Sequence, residues 1–175
     1  MIVGVISDTH DALAPTLKIL QELRAERVEE VLHLGDIISP FTVRRMREAL
    51  GSGARVVAVL GNNDGDVPVL SRLFHEYGWE LLHGIALLDL GGSRYVAFHG
   101  FHDPQTTEII AKSLATVEGI RGVLFGHTHR VLHVDLGGKI LLNPGEACGY
   151  LSGRHTYAIL DTSRNLVEIR EVKPA

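Results

Sequence analysis

Seven side chains suited to binding divalent metals sit just beyond short apolar runs. Ile2–Ile6 leads into Ser7-Asp8-Thr9-His10-Asp11, and Val31–Leu34 into Gly35-Asp36. Arg55–Leu60 leads into Gly61-Asn62-Asn63-Asp64-Gly65, and Arg94–Phe98 into His99-Gly100. The last run, Gly122–Phe125, leads into Gly126-His127-Thr128-His129. The candidate donors are Asp8, His10, Asp36, Asn62, His99, His127 and His129. Two carboxylates, one amide and four imidazoles exceed what one ion needs and suit two ions sharing a carboxylate. Asp36, alone in its segment, is the candidate bridge. The mixed nitrogen and oxygen set disfavours magnesium or calcium in an all-oxygen cage and suits manganese, iron, nickel, cobalt or zinc. With no cysteine among the donors, a structural zinc knot is disfavoured. His127 and His129, one residue apart, are expected in extended backbone, projecting to the same side.

Elements must bring these segments to one place. Ile2–Ile6 is apolar on both faces, as a central strand covered by helices should be. A helix is predicted from about Ala14 to Arg27, with Leu13, Leu17, Leu20 and Leu23 as its apolar stripe and Lys18, Glu22, Arg24 and Glu26 solvated. Helices follow over Pro40 to Leu50, with Pro40 in the first turn and Gly51 past the end, and over Val67 to Tyr77, stopped at Gly78. Gly91-Gly92 lies between Ile85–Leu90 and Arg94–Phe98, and Gly137-Gly138 between Val131–Leu136 and Lys139–Leu142; both read as hairpins. Asp-Leu-Gly-Gly thus occurs twice, from Asp89 and from Asp135, a hint of two related halves. A helix over Gln105 to Thr116 and closing strands over Thr156–Leu160 and Leu166–Val172 complete the pattern. The expectation is an α/β fold of two mixed sheets packed together with helices outside. Parallel strands would then deliver the candidate donors to one edge, where open α/β sheets place ligands.

Composition bounds the rest. A length of 175 residues predicts one domain, 1–175, with a sizeable core. Net charge is −4 with no basic run, which argues against an extended nucleic-acid surface but not against a small nucleotide. Cys148 is the single cysteine, so no intrachain disulfide can form and a reducing, cytoplasmic setting fits. No apolar stretch approaches the ~20 residues of a membrane span. Met1–Ile6 is too short for a signal sequence and reads as the first strand.

The motifs Asp8-Thr9-His10, Gly35-Asp36, Gly61-Asn62-Asn63-Asp64, His99-Gly100 and Gly126-His127-Thr128-His129, in this order along the whole chain, resemble those of the calcineurin-like metallophosphoesterases. The likeness is greatest to the small YfcE-type phosphodiesterases. The resemblance implies a four-layer αββα sandwich. It implies one ion on Asp8, His10, Asp36 and His129 and a second on Asp36, Asn62, His99 and His127. It also implies hydrolysis of a phosphoester, most often a diester, by a hydroxide bridging the two ions. The charge balance agrees: two divalent ions, two carboxylates and one hydroxide leave about +1, a local anion site in an acidic protein. The alternative is a non-catalytic scaffold of the same fold, as in the retromer subunit.

One position departs from the family pattern. Many relatives carry a histidine where this chain has Asn63, and an amide is not a useful general acid. Either substrates with acidic leaving groups are favoured, or His102 supplies the proton. Asp11, Asp64 and Asp103 adjoin donor positions and are candidates to hold the outer nitrogens of metal-bound histidines or to cap loops. Gly100 and Asn143, the latter in Asn143-Pro144-Gly145, are expected to line the site. Glu146, where relatives often have serine, would trim substrate size or point to solvent. His33 is expected to be a hydrogen-bonded core residue. His75, His83, His133 and His155 are expected to have no functional role, and Cys148 to serve packing. Trp79 and Phe41 are expected in the core or a subunit contact. Manganese is the leading ion, the substrate class is a small or nucleotide-like phosphoester, and a dimer or tetramer is expected.

Overall fold

A computed structural model describes residues 1–173. In chain order the elements are β1 (Ile2–Ile6), α1 (Leu13–Ala25), β2 (Glu30–His33), α2 (Pro40–Leu50), β3 (Val56–Val59), α3 (Val67–Tyr77) and β4 (Glu80–Leu82). They continue with β5 (Ala86–Leu90), β6 (Ser93–Phe98), α4 (Pro104–Leu114), β7 (Gly122–Phe125), β8 (Val131–Asp135), β9 (Ile140–Pro144), β10 (His155–Asp161) and β11 (Leu166–Val172). Two sheets result, ordered β11-β10-β1-β2-β3-β4 and β5-β6-β7-β9-β8. Within the first, β1, β2, β3 and β4 run parallel; within the second, β6, β7 and β9 do. The remaining pairings are antiparallel.

Strand alternation sorts the side chains into three apolar layers. In the first sheet, Ile6, Val31, Val56 and Ala58 face α1, α2 and α3 and pack with Ile19, Leu23, Val43, Met46 and Leu70. Their neighbours Val3, Val5, Leu32 and Val59 turn the other way and meet Ala97, Leu124 and Leu142 of the second sheet. The outer face of that sheet, with Phe98, Val123, Phe125 and Leu141, is covered by Ala111 and Ala115 at α4. Helix, sheet, sheet and helix therefore stack as the expected αββα sandwich. No helix among the described residues is long and apolar enough to cross a membrane.

Several local expectations shift. β4 is a short strand not legible in the pattern, whose exposed Glu80 breaks its alternation. On α1 the buried positions are Pro15, Thr16, Ile19, Leu20 and Leu23, so Leu13 and Leu17 leave the stripe. Trp79 is core, edge-on to Phe74 and Tyr77 with its indole N–H on the Ala54 carbonyl, but Phe41 is 75% exposed. The repeated Asp-Leu-Gly-Gly has a turn-level cause: Asp89 accepts from Gly92 N and Asp135 from Gly138 N, the same closure in two hairpins.

Candidate metal centre

All three parallel strands of the first sheet that precede helices, β1, β2 and β3, end at one edge. There they meet the ends of β6, β7 and β9 of the second. The loops beyond them carry every candidate donor. Their backbone is unusual: Asp8, His10, Asp36, His127 and His129 all have φ between 42° and 67°. Left-handed backbone at such residues is costly, about 1–3 kcal/mol each in general, and concentrates at functional sites. The expected extended backbone at His127 and His129 is thus overturned. The two histidines do not act as a pair. His129 packs against His10 and His127 against His99, with ring centroids 5.1 Å apart in both cases.

The donors form two groups around Asp36. Its Oδ2 lies 3.3 Å from His10 Nε2 and 3.4 Å from His99 Nε2. On the first side Asp8 Oδ1 lies 3.2 Å from His129 Nε2 and 3.8 Å from His10 Nε2. On the second side His99 Nε2 lies 3.1 Å from Asn62 Oδ1. Asp8, Asp36 and His99 are buried, His10, His127 and His129 are half-buried, and Asn62 is exposed. Among the described residues, three buried side-chain polar atoms have no hydrogen-bond partner: Thr16 Oγ1 on α1 and, in this site, Asp8 Oδ1 and His10 Nε2. Polar atoms so placed are rare in proteins and call for an occupant. Asp8, His10 and Asp36 bring three donor atoms within 4.8 Å of one another, as a single cation requires.

The carboxylates raise the pKa of the imidazoles they face. Asp36 and Asp8 push His10 up to about 10 against the lowering effect of burial. Burial lowers His99, yet Asp36 and Asp8 leave it raised overall. Its Nδ1 meets the Leu34 carbonyl at 2.7 Å while Nε2 faces Asn62 and Asp36, so both nitrogens face acceptors. Burial opposes ionisation of Asp36, but His10, His99 and Asn63 hold it far below the usual carboxylate range. A divalent cation would displace these protons and face the same carboxylates.

The loops themselves are held by a set of acceptors and small residues. Asp64 accepts from four backbone N–H groups, those of Asp36, Ile37, Ile38 and Gly61. Asp11 accepts from the Ser39 and Thr42 hydroxyls, tying the β1 loop to the start of α2. Asp103 caps α4 through Thr106 N. None of the three carboxylates receives a donor histidine; of the two expected roles they take the capping one, Asp64 and Asp103 on backbone N–H groups and Asp11 on two hydroxyls. Asn143 is buried and bonds the Gly126 carbonyl, the Thr128 hydroxyl and Gly145 N, which fixes the Gly126–His129 turn rather than facing substrate. A Cβ on Gly61 would overlap Asp36, and one on Gly100 would overlap His127, so close approach excludes a side chain at both. His33 is fully buried; its Nδ1 accepts from Gly35 N and its Nε2 meets the Thr9 hydroxyl, as a core histidine bracing two site loops.

The outer nitrogens of the donor histidines find other partners. His99 uses the Leu34 carbonyl, His127 Nε2 the His102 carbonyl at 3.1 Å, and His129 Nδ1 the Glu146 carboxylate at 2.6 Å. Glu146 is 0% exposed, so it neither points to solvent nor trims substrate. Burial opposes its ionisation, but the Cys148 thiol, His129 and Ser152 hold its pKa down to about 2. Burial and that carboxylate together push Cys148 up to about 12, so the thiol stays protonated. Asn63 donates to both oxygens of Asp36, each at 2.8 Å. The His102 side chain is 82% exposed, with Nδ1 3.0 Å from Asp103. Sequence reasoning did not single out Tyr150. Its ring lies 6.2 Å from His10 and its hydroxyl reaches the His10 carbonyl, yet an exposed aromatic in a glycine-rich loop carries no signal of its own.

A family model described as a calcineurin-like phosphoesterase superfamily domain matches residues 1–165. Phosphodiesterase MJ0936 of Methanocaldococcus jannaschii is 32% identical over 173 residues, 98% of each chain. A structure described as a novel archaeal phosphodiesterase superposes with a TM-score of 0.85 at 30% identity, covering 98% of this chain and all of the other. YfcE, a phosphoesterase from E. coli, shares the fold with a TM-score of 0.69 at 20% identity over the full length of both chains.

Proposed function

This chain belongs to the calcineurin-like phosphoesterase superfamily, and on that premise we propose how it works as a metal-dependent phosphodiesterase. In this reading Asp8, His10, Asp36 and His129 hold one divalent ion. Asp36, Asn62, His99 and His127 hold the other. The observation that carries it is the shared carboxylate oxygen of Asp36, within 3.4 Å of one imidazole from each group, beside the unpartnered Asp8 Oδ1 and His10 Nε2. Divalent ions bound there would supply Lewis acidity, making hydroxide available near neutral pH and offsetting phosphoryl charge.

The chain's own residues prepare that chemistry. Asn63 clamps Asp36 by two hydrogen bonds, which orients the carboxylate between the two groups. The Leu34 and His102 carbonyls and the Glu146 carboxylate set the rings of His99, His127 and His129. Because Asn63 cannot donate a proton as an acid, the leaving group either departs as a stable anion or takes a proton from His102. His102 borders the pocket through its carbonyl contact to His127, with Asp103 on its Nδ1. Manganese suits the nitrogen and oxygen donors, with iron, nickel, cobalt or zinc as alternatives. A small or nucleotide-like phosphodiester suits an acidic chain with no basic run. We also read residues 1–175 as one domain, the single buried cysteine as fitting a reducing cytoplasm, and the active form as a homodimer or homotetramer.

The test is hydrolysis of bis(p-nitrophenyl) phosphate by chelator-treated protein, with and without added manganese, and with p-nitrophenyl phosphate as the monoester control. Manganese-dependent turnover favouring the diester is expected. Protein that binds manganese but turns over neither ester would instead support the scaffold reading, which otherwise leaves the unpartnered donors without a purpose.

A further inference from the structure

Glu146 is fully buried at the metal centre and belongs to neither proposed donor group. Its Oε2 lies 2.6 Å from His129 Nδ1 and 3.0 Å from Cys148 Sγ. Its Oε1 accepts from Leu151 N at 3.0 Å and from Ser152 N at 2.5 Å. Backbone N–H groups only donate, so Oε1 accepts both of its contacts, and the Cys148 thiol donates to Oε2. With the carboxylate accepting at both oxygens, the 2.6 Å contact places the proton on His129 Nδ1. Nε2 is left with its lone pair directed at the group around Asp8, 3.2 Å from Asp8 Oδ1. The outer nitrogens of His99 and His127 meet neutral carbonyls, whereas that of His129 meets a carboxylate.

We propose that Glu146 is a positioning residue that locks His129 in its Nδ1–H tautomer and joins the 148–152 loop, which carries Tyr150, to the Asp8 side of the centre. The inference rests on the metal reading above and adds an asymmetry to it: Glu146 supports one ion and not the other. A glutamine at this position offers one oxygen, so its NH2 group must oppose either His129 and the thiol or the two backbone donors.

The experiment compares wild type with Glu146→Gln. Long-range ¹⁵N–¹H correlations on metal-free protein, at mildly alkaline pH, report the tautomer of His129. Calorimetric titration with manganese reports the two binding events. Wild type should show the Nδ1–H tautomer, and Glu146→Gln a mixture or the Nε2–H form. The variant should bind one ion about 10–100-fold more weakly while the other event keeps its affinity. An Nε2–H tautomer in wild type overturns the inference. So does a variant with the wild-type tautomer and both events unchanged. Should the variant fail to fold, the wild-type tautomer decides alone. Wild type that takes up no manganese would remove the metal reading, while the tautomer would still decide the role of Glu146.

Discussion

Replacing Asp64 by asparagine tests whether one carboxylate holds the central loop. Oδ1 of Asp64 accepts from Ile37 N at 2.6 Å and Ile38 N at 2.8 Å, and Oδ2 from Gly61 N at 2.7 Å and Asp36 N at 3.2 Å. An amide has one oxygen, so in either orientation two of these N–H groups face an NH2 group. Hydrogen bonds to a charged partner contribute about 1.5–3 kcal/mol each, so the gross loss is about 3–6 kcal/mol. Asp64 is half-buried and water reaches part of the gap, which reduces the net loss to about 2–4 kcal/mol. For a chain of this size that lowers the melting temperature by about 5–15 °C. Because the loop also aims Asp36, the variant should gain less stability from manganese than wild type does. Equilibrium urea denaturation, with chelator and with manganese, measures both effects. A variant within about 0.5 kcal/mol of wild type, and equally stabilised by manganese, would refute the reasoning.

Acid stability should carry a signature of Glu146. Its pKa falls from an ordinary 4.5 to about 2 on folding, so its contribution is complete above 4.5 and vanishes as pH drops toward 2. That contribution is up to about 3 kcal/mol, and Glu146→Gln should flatten the slope of unfolding free energy with pH in this window. Metal uptake should release protons, because His10, raised to about 10 in the metal-free protein, must deprotonate. Manganese affinity should therefore rise with pH, and calorimetry in buffers of different ionisation enthalpy should show a net proton release; a heat independent of buffer would count against the site. Finally, His102→Ala should spare diesters with acidic leaving groups and slow those with poor ones by about 10²-fold or more if His102 is the acid. Equal turnover across a leaving-group series would leave proton donation to solvent.

What the chain discloses by itself follows from periodicity and from turn chemistry. A both-face apolar run announced β1, Pro40 and Gly51 bounded α2, Gly78 ended α3, and Gly91-Gly92 announced its hairpin. β4 escaped because three residues with an exposed glutamate make no pattern. The seven candidate donors stood out because metal-binding residue types at strand ends are a local feature. Their partners did not. His129 meets Glu146 across 17 residues of sequence, and Asp36 draws on Asp64 across 28.

The residue types and their order pointed to a site for a pair of cations, and the family resemblance they carry implied phosphoester chemistry. Tertiary structure alone decided that His127 and His129 sit on left-handed backbone, that Asp64 and Asp103 accept from backbone and Asp11 from two hydroxyls, and that Glu146 is buried against a ring. The reason is geometric. A side chain's chemistry belongs to the residue, but its direction depends on left-handed backbone at five donor positions and on loops from two sheets meeting at one edge. Neither is encoded in any stretch shorter than the fold.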